Sequence, residues 1–205
     1  MIFNWVEWPL AILIGVGGFL ILLLADLAEI KSLSWARLIV WICALVLFAF
    51  ALGSLLSKRG DFSIPTGGKI VGWIGASVAL LLAIYSVFIE IPIKVSYLNK
   101  SRKKIVITTG TYALTRHPGV LWYTFLLLFL VLATGSKVLL VATPIWIAFD
   151  ILHVFVQDKF FFIKIFGEPY RRYSTIVPML IPNRISIRRC LRTLWAEEWL
   201  ETEGE

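Results

Sequence analysis

The chain has 205 residues, of which 59% are hydrophobic, 14% are aromatic and only 16% are charged, and its mean hydropathy is +0.85. Soluble domains average about 45–50% apolar and about 25% charged residues and have one core to fill, so this composition excludes a soluble single-core enzyme, a disordered chain and a nucleic-acid-binding tail protein. The formal net charge of +7 suits a membrane protein whose cytoplasmic loops collect Lys and Arg, with membrane lipid and not nucleic acid as its surroundings.

Five apolar stretches are candidates for crossing a bilayer, which takes about 20 residues. In chain order they cover about 9–25, 38–56, 70–91, 119–134 and 138–156. Gly135, Ser136 and Lys137 alone separate the last two stretches, and Gly and Ser suit a turn, so a tight helical hairpin is predicted there. The predicted fold is an all-α integral membrane protein with five transmembrane helices and a cytosolic C-terminal region.

Three segments differ in composition. Residues 1–93 are predicted to form a three-helix membrane region, residues 94–183 combine a basic loop, the hairpin and a basic, aromatic-rich stretch, and residues 184–205 form a basic amphipathic tail with an acidic end. The helical part of that tail is predicted to run from about 184 to 199. Cys43 and Cys190 are too few for a disulfide framework or a Cys-rich zinc site, and no metal site is predicted.

Most Lys and Arg residues lie in two segments, 94–117 and 159–192. Both segments lie on the same side of the membrane if the hairpin between them crosses twice. Because cytoplasmic loops collect Lys and Arg, the N-terminus is predicted outside and the C-terminus in the cytoplasm. The simple five-span body without a retention signal favours a prokaryotic inner membrane.

The segment 110–118 reads Gly-Thr-Tyr-Ala-Leu-Thr-Arg-His-Pro and precedes the fourth span. Pro118 suits the first turn of a helix, which places Arg116 and His117 at a helix N-terminus, where the helix dipole favours an anion. Arg can clamp a carboxylate or phosphate, and His can shuttle a proton near neutral pH. In the alternative interpretation, Arg116 is one more cytoplasmic anchor and His117 is a helix cap.

A second polar segment follows the fifth span. Gly167 is a helix stop and Pro169 can open a new helix, on which Tyr170 and Tyr173 share a face because they are three residues apart. Asp158 lies at the cytoplasmic boundary, where an acid is solvated, paired with Arg or Lys, or used for binding.

Ionisable residues inside the spans are the third feature, since such residues are rare in membranes and often functional. Asp150 and His153 are three apart in the fifth span, so they can pair with each other or line a substrate tunnel. Glu90, near the inner end of the third span, is interpreted as structural and can reach Lys94 one turn further on.

Two patterns carry a resemblance to a known family. Gly-x-Tyr-x-x-x-Arg-His-Pro before a helical hairpin, followed by Phe-Gly-x-x-Tyr-x-x-Tyr-x-x-x-Val-Pro-x-x-Ile-Pro at 166–182, resembles the isoprenylcysteine carboxyl methyltransferase and phospholipid methyltransferase superfamily. The resemblance covers about residues 106–183, which makes 94–183 a methyltransferase-like core. It implies a membrane enzyme with S-adenosyl-L-methionine in a cytosolic pocket and a lipid-like small-molecule substrate that enters from the bilayer.

The resemblance also implies roles for single residues. Carried over by position, residues of both patterns hold the cofactor: Gly110, Tyr112, Arg116, His117, Pro118, Asp158, Tyr170 and Tyr173. For catalysis, Arg171 or Arg172 is predicted to hold a carboxylate acceptor, and Asp158, Glu168 or His153 to serve as base for an amine acceptor. Asp150, His153 and Tyr123 are predicted to contact the substrate.

The chain departs from the family pattern at Asp158 and Lys159, where the family usually has two adjacent glutamates, and at Val120, where Tyr is common. Asp158 keeps an acceptor one methylene shorter, whereas Lys159 reverses a charge. Two alternatives stay open: an NADPH-dependent enzyme like the membrane sterol reductases, which are typically longer, and a diverged non-catalytic membrane scaffold. The sequence does not choose among carboxylate, amine and thiol acceptors, nor does it give the oligomeric state.

Overall fold

The computed structural model of the chain describes residues 7–31, 33–57, 61–90, 105–193 and 199–201. The first three helices are long and apolar: α1 (Trp8–Ile30), α2 (Ser34–Leu56) and α3 (Thr66–Ile84), the last of which continues as a π-helical turn over Tyr85–Ile89. Residues 94–104, the first part of the predicted basic loop over 94–117, lie outside the described residues.

The second half of the described chain contains these elements: strand β1 (Ile105–Ile107), the short helix α4 (Thr111–Leu114), α5 (Pro118–Thr134), α6 (Lys137–Val156) with a π-helical continuation over Gln157–Phe162, α7 (Ile163–Phe166), α8 (Glu168–Ile176), α9 (Arg184–Thr193) and strand β2 (Trp199–Glu201). Each predicted span corresponds to a helix. The first helix continues beyond the apolar stretch through Asp26 and Glu29, because a helical backbone satisfies its own hydrogen bonds whether or not its side chains are apolar.

Within the described residues, four helical stretches are long and apolar enough to cross a membrane: Trp8–Ile30, Trp35–Leu56, Thr66–Ile89 and Lys137–Phe166. Helix α5 is also apolar and has 17 residues, which is near the lower limit for a span. Large aliphatic side chains stay exposed on these helices, Leu13 at 63% and Leu81 at 65%, as lipid permits and water does not. The prediction of a helical membrane protein is confirmed at this level.

One short antiparallel pairing is an addition to the predicted all-helical architecture. Strand β1 pairs with β2 in the register Ile105 with Glu201, Val106 with Leu200 and Ile107 with Trp199. The β-branched run Ile-Val-Ile favours an extended backbone. The helix predicted over about 184–199 is therefore shorter than expected: α9 ends at Thr193, and Trp199 belongs to a strand.

The chain divides into two compact units, each made of two stretches. The first unit comprises residues 1–81 and 122–153, and the second comprises 82–121 and 154–205. This division differs from the predicted boundaries at 93 and 183, because residues far apart in sequence pack together within each unit.

Glycines allow close helix packing in the first unit. The indole of Trp146 in α6 is buried, lies against Gly15 of α1 and donates a hydrogen bond to the Ile12 carbonyl at 3.1 Å. A Cβ on Gly72 of α3 would lie 2.5 Å from the backbone nitrogen of Ala133 in α5. Small residues at such crossings are what helix association in a bilayer requires, since lipid offers no hydrophobic driving force.

Candidate functional site

The second unit brings the two sequence patterns into direct backbone contact. The Arg116 N–H donates to the Pro178 carbonyl at 2.9 Å, and the His117 N–H donates to the Met179 carbonyl at 3.3 Å. Helix α5 begins at Pro118, as the sequence predicts, so Arg116 and His117 precede its first turn. The Arg-His-Pro segment is therefore anchored to the Val-Pro end of the second pattern.

Asp158 is the centre of the polar contacts in this unit. Arg116 Nη1 donates to both of its carboxylate oxygens, at 2.6 and 2.7 Å, and the Tyr170 hydroxyl donates to Oδ1. His117 Nε2 lies 3.4 Å from the same oxygen. The side chains of Arg116 and Asp158 are 13% and 9% exposed, so the charges are compensated in a largely buried setting.

Local backbone geometry explains how Asp158 and Tyr170 reach each other. The π-helical segment 157–162 turns Asp158 and Phe161 into the protein, and such segments occur frequently at functional sites. Gly167, at φ +64°, ends α7 and lets α8 start in a new direction. As predicted, α8 carries Tyr170 and Tyr173 on one buried face.

Aromatic rings enclose the polar centre. The Phe162 ring stacks on the His117 ring, with centroids 5.7 Å apart and planes 14° from parallel. Tyr170 meets Phe162 edge-on at 5.2 Å. Tyr170 and Tyr173 also belong to an apolar cluster with Val106 and Val177, so apolar side chains border the polar contacts around Asp158.

A second set of contacts holds the 110–112 turn in place. The Tyr173 hydroxyl donates to the Tyr112 carbonyl at 2.6 Å, and the Tyr112 hydroxyl donates to the Ser86 carbonyl at 3.2 Å. Glu90 accepts from the Thr111 N–H at 2.6 Å and from the Thr111 hydroxyl. These bonds connect the end of α3 to the first pattern.

Gly110 is required by this arrangement. Its φ is +58°, its N–H donates to Thr193 Oγ1 at 3.1 Å, and a Cβ there would overlap the Glu90 carboxylate. Burial raises the pKa of Glu90, against the hydrogen bonds from Thr111, which lower it.

Burial also changes the pKa of Tyr170 and of Tyr173. It raises the pKa of Tyr170, with the neighbouring Asp158 carboxylate adding to the increase. It raises the pKa of Tyr173 as well, with Tyr170 as the next contribution. Both phenols are therefore neutral donors at physiological pH.

The structure gathers one group of the predicted site residues and separates another. The residues that the resemblance connects with a cofactor all lie in the second unit: Gly110, Tyr112, Arg116, His117, Pro118, Asp158, Tyr170 and Tyr173. The predicted acceptor-holding arginines lie in the same unit but face away from Asp158 and its partners. Arg171 and Arg172 occupy the exposed side of α8, and Arg172 Nε lies 3.7 Å from Glu168, because a nine-residue helix that buries Tyr170 and Tyr173 turns the residues between them outward.

The predicted substrate residues Asp150, His153 and Tyr123 lie in the first unit. His153 Nε2 is 3.2 Å from Asp26 Oδ2 on α1, a contact that the sequence analysis did not predict. Tyr123 packs edge-on against Phe19, with ring centroids 6.1 Å apart. The partner Asp26 is 127 residues away in sequence, so helical spacing gave no signal for it.

Sequence reasoning also missed the role of Glu90 and its partners. Glu90 was expected to reach Lys94, which lies outside the described residues, whereas the structure shows it at the backbone and hydroxyl of Thr111. A carboxylate near a span end, facing a Gly-Thr turn, was the available signal, since acids accept from the free N–H groups of a helix start.

Two buried polar atoms near the centre have no hydrogen-bond partner within the described part of the chain: Arg116 Nε and Thr115 Oγ1. Among the described residues, no three His, Cys, Asp or Glu side chains are grouped as metal ligands would be.

Comparisons with known proteins add no further assignment. No protein-family model matches the chain, and no curated protein or solved structure gives a match.

Proposed function

We propose that the chain is an integral membrane methyltransferase that transfers a methyl group from S-adenosyl-L-methionine to a lipid-like acceptor. The observation that carries the proposal is the meeting of the two patterns around Asp158, with Arg116, His117 and Tyr170 as its partners. Arg116 and Asp158 are 42 residues apart in sequence, yet with Tyr170 of the second pattern they share one buried polar centre in the second unit, as a common binding function requires.

The chemistry of the site fits such a cofactor. The free N–H of Arg116 Nε suits the carboxylate of an amino acid moiety, and the Thr115 hydroxyl can pair with a ribose hydroxyl. The stacked rings of His117 and Phe162 offer an aromatic surface of the kind that an adenine ring packs against.

Bound S-adenosyl-L-methionine supplies an electrophilic methyl on a good leaving group, so the task of the protein is to position the two partners. Arg116 and Tyr170 hold the Asp158 carboxylate in one orientation, and the backbone bonds to Pro178 and Met179 fix the start of α5. Asp158 is better placed to orient Arg116 and His117 than to take a proton, because its oxygens already accept from several donors.

The same proposal includes a topology. Five spans, with α5 crossing the membrane, place the N-terminus outside and the second pattern in the cytoplasm, where the cofactor is found. A prokaryotic inner membrane is the proposed location.

Equilibrium titration of S-adenosyl-L-methionine into the full chain in detergent tests the proposal. The expected result is saturable binding by the wild type, and at least a tenfold weaker affinity in His117→Ala, because the ring that stacks on Phe162 is lost. Lys164→Gln, a change at an exposed side chain of α7, is the matched control and is expected to bind like the wild type. Absence of binding by well-folded wild type would reject the proposal.

A non-catalytic scaffold is the second candidate, and one observation favours it. Asp158, Tyr170 and Tyr173 are each less than a tenth exposed and bond to one another or to backbone, as in a structural network. If His117→Ala lowers the unfolding temperature while the wild type shows no cofactor affinity, the network is structural and this second function is favoured.

A further inference from the structure

Helix α9 presents a stripe of positive charge. Arg184, Arg188 and Arg192 follow one another at four-residue spacing, so their side chains line one side of the helix, and all three are exposed. We call these three residues the arginine stripe. None of them has an ion pair within the described part of the chain.

Exposed aliphatic side chains flank the arginine stripe on both sides. Ile185 is 70% exposed, Leu191 is 68% exposed and Ile187 is 44% exposed. By helical geometry, Ile185 lies on one side of the stripe, and Leu191 and Ile187 lie on the other. Cations between exposed aliphatic side chains are typical of helices that lie in a lipid interface.

The opposite side of α9 is bound to the second unit. Ser186 and Cys190 are buried, and Thr193 Oγ1 accepts from the Gly110 N–H at 3.1 Å. At the start of the helix, the Ser186 N–H donates to Asn183 Oδ1 at 2.8 Å and the Asn183 N–H donates to Ser186 Oγ at 3.0 Å. This reciprocal cap fixes the helix, so the stripe is formed before any partner binds.

We propose that the arginine stripe and its aliphatic flanks bind anionic phospholipid head groups at the membrane surface. Arg188 and its neighbours on the stripe contact lipid phosphates, for which the guanidinium geometry is well suited, while Ile185 and Leu191 enter the acyl boundary. The like charges along the stripe repel one another until an anionic surface neutralises them. Membrane attachment elsewhere in the chain keeps the lipid concentration at the helix high.

The proposal connects lipid composition with the candidate site. Thr193, at the end of α9, contacts the turn at Gly110, and α9 packs against α4, which contains Tyr112. An anionic membrane that fixes the position of α9 therefore also fixes the 110–112 turn. The Tyr112 carbonyl of this turn accepts a hydrogen bond from the Tyr173 hydroxyl. The binding itself does not depend on the proposed methyl transfer.

Label accessibility in reconstituted vesicles tests the proposal. The full chain carries an environment-sensitive fluorophore at Ile185→Cys in a Cys43→Ser background, and Cys190 stays unlabelled because it is buried. Vesicles contain phosphatidylcholine alone or phosphatidylcholine with phosphatidylglycerol, and acrylamide is the aqueous quencher. The expected result is severalfold less quenching in the anionic vesicles, reversed by high salt because Arg–phosphate attraction is screened.

Two double variants carry equal changes of charge. Arg188→Gln with Arg192→Gln is expected to restore most of the quenching in anionic vesicles, since each Arg near an anionic surface contributes about fivefold in affinity. Lys159→Gln with Lys164→Gln removes two positive charges from other exposed positions of the same unit and is expected to leave the protection unchanged.

Three results would overturn the proposal. The first is equal quenching in both kinds of vesicle. The second is an equal loss of protection in the arginine and lysine variants, which would indicate a response to net charge alone. The third is protection by inorganic phosphate in phosphatidylcholine vesicles, which would indicate a soluble anion and not a lipid. Loss of cofactor binding with label protection retained would reject the proposed enzyme and leave this inference standing.

Discussion

At the scale of single residues, Asp158 is the side chain that several other polar groups of the candidate site contact. Its carboxylate accepts from Arg116 and Tyr170 and lies next to His117, and it is largely buried. A buried pair adds little stability compared with an apolar pair, yet removal of one partner leaves the other charge without compensation. The asymmetry gives a direct test.

Asp158→Asn is expected to lower the free energy of unfolding by about 3 kcal/mol, because the Arg116 charge stays buried without its counter-ion. Thermal unfolding in detergent measures this change. The matched acid-to-amide control is Glu168→Gln, whose ion pair with Arg172 is exposed and therefore contributes little. Equal unfolding temperatures for the two variants would contradict the assignment of Asp158 as the centre of the network.

The tyrosines give a prediction for pH. Burial raises the pKa of Tyr170 and Tyr173 above the ordinary value of 10.0, so above that pH the unfolded chain releases protons that the folded chain keeps. The stability that these two tyrosines contribute is then fully present below about pH 10 and is lost as the pH rises further. Unfolding temperatures measured on both sides of pH 10 should show this fall, and Tyr173→Phe should reduce it. An unchanged slope in Tyr173→Phe would indicate that Tyr173 does not titrate with folding.

At the scale of elements, glycine positions decide how closely the helices of the first unit approach. Gly72 in α3 faces backbone atoms of Ala133 in α5, whereas Gly67, in the first turn of the same helix, has nothing within 4 Å of a built Cβ. Both changes to Ala improve intrinsic helix propensity, so a difference between them reports the contact.

Gly72→Ala is therefore expected to lower stability by about 1–3 kcal/mol, the usual cost of overpacking, while Gly67→Ala is expected to be neutral or slightly stabilising. Unfolding in detergent, compared with the wild type, measures both. If Gly72→Ala unfolds at the wild-type temperature, α3 and α5 can move apart at that crossing without loss of stability.

At the scale of the whole molecule, the number of membrane crossings depends on whether α5 spans the bilayer. Thiol labelling of intact cells with an impermeant reagent tests the five-span topology in a Cys43→Ser background. Lys31→Cys and Arg171→Cys are expected to be protected as cytoplasmic sites, and Lys137→Cys, at the start of α6, is expected to be labelled. All three residues are exposed within the described chain. Protection of Lys137→Cys together with labelling of Arg171→Cys would mean that α5 does not cross.

Much of the helical architecture was predictable from composition and periodicity. The apolar runs gave the helices, the pair Gly135-Ser136 gave the turn before α6, and Gly167 with Pro169 gave the break before α8. These signals are local, since apolar length, a left-handed glycine and a proline in a first turn act on their own neighbours. The face shared by Tyr170 and Tyr173 followed from helical spacing for the same reason.

The sequence by itself determined that the chain is a helical membrane protein and which two segments hold unusual polar residues. Only the tertiary structure decided the partners: Asp158 with Arg116, Glu90 with Thr111, and His153 with Asp26. A buried charge takes whichever compensating group the packed backbone brings within hydrogen-bond reach, and spacing along one helix does not reveal a group on another. The exposure of Arg171 and Arg172 was decided in the same way, because the buried tyrosines fix which side of α8 faces the protein.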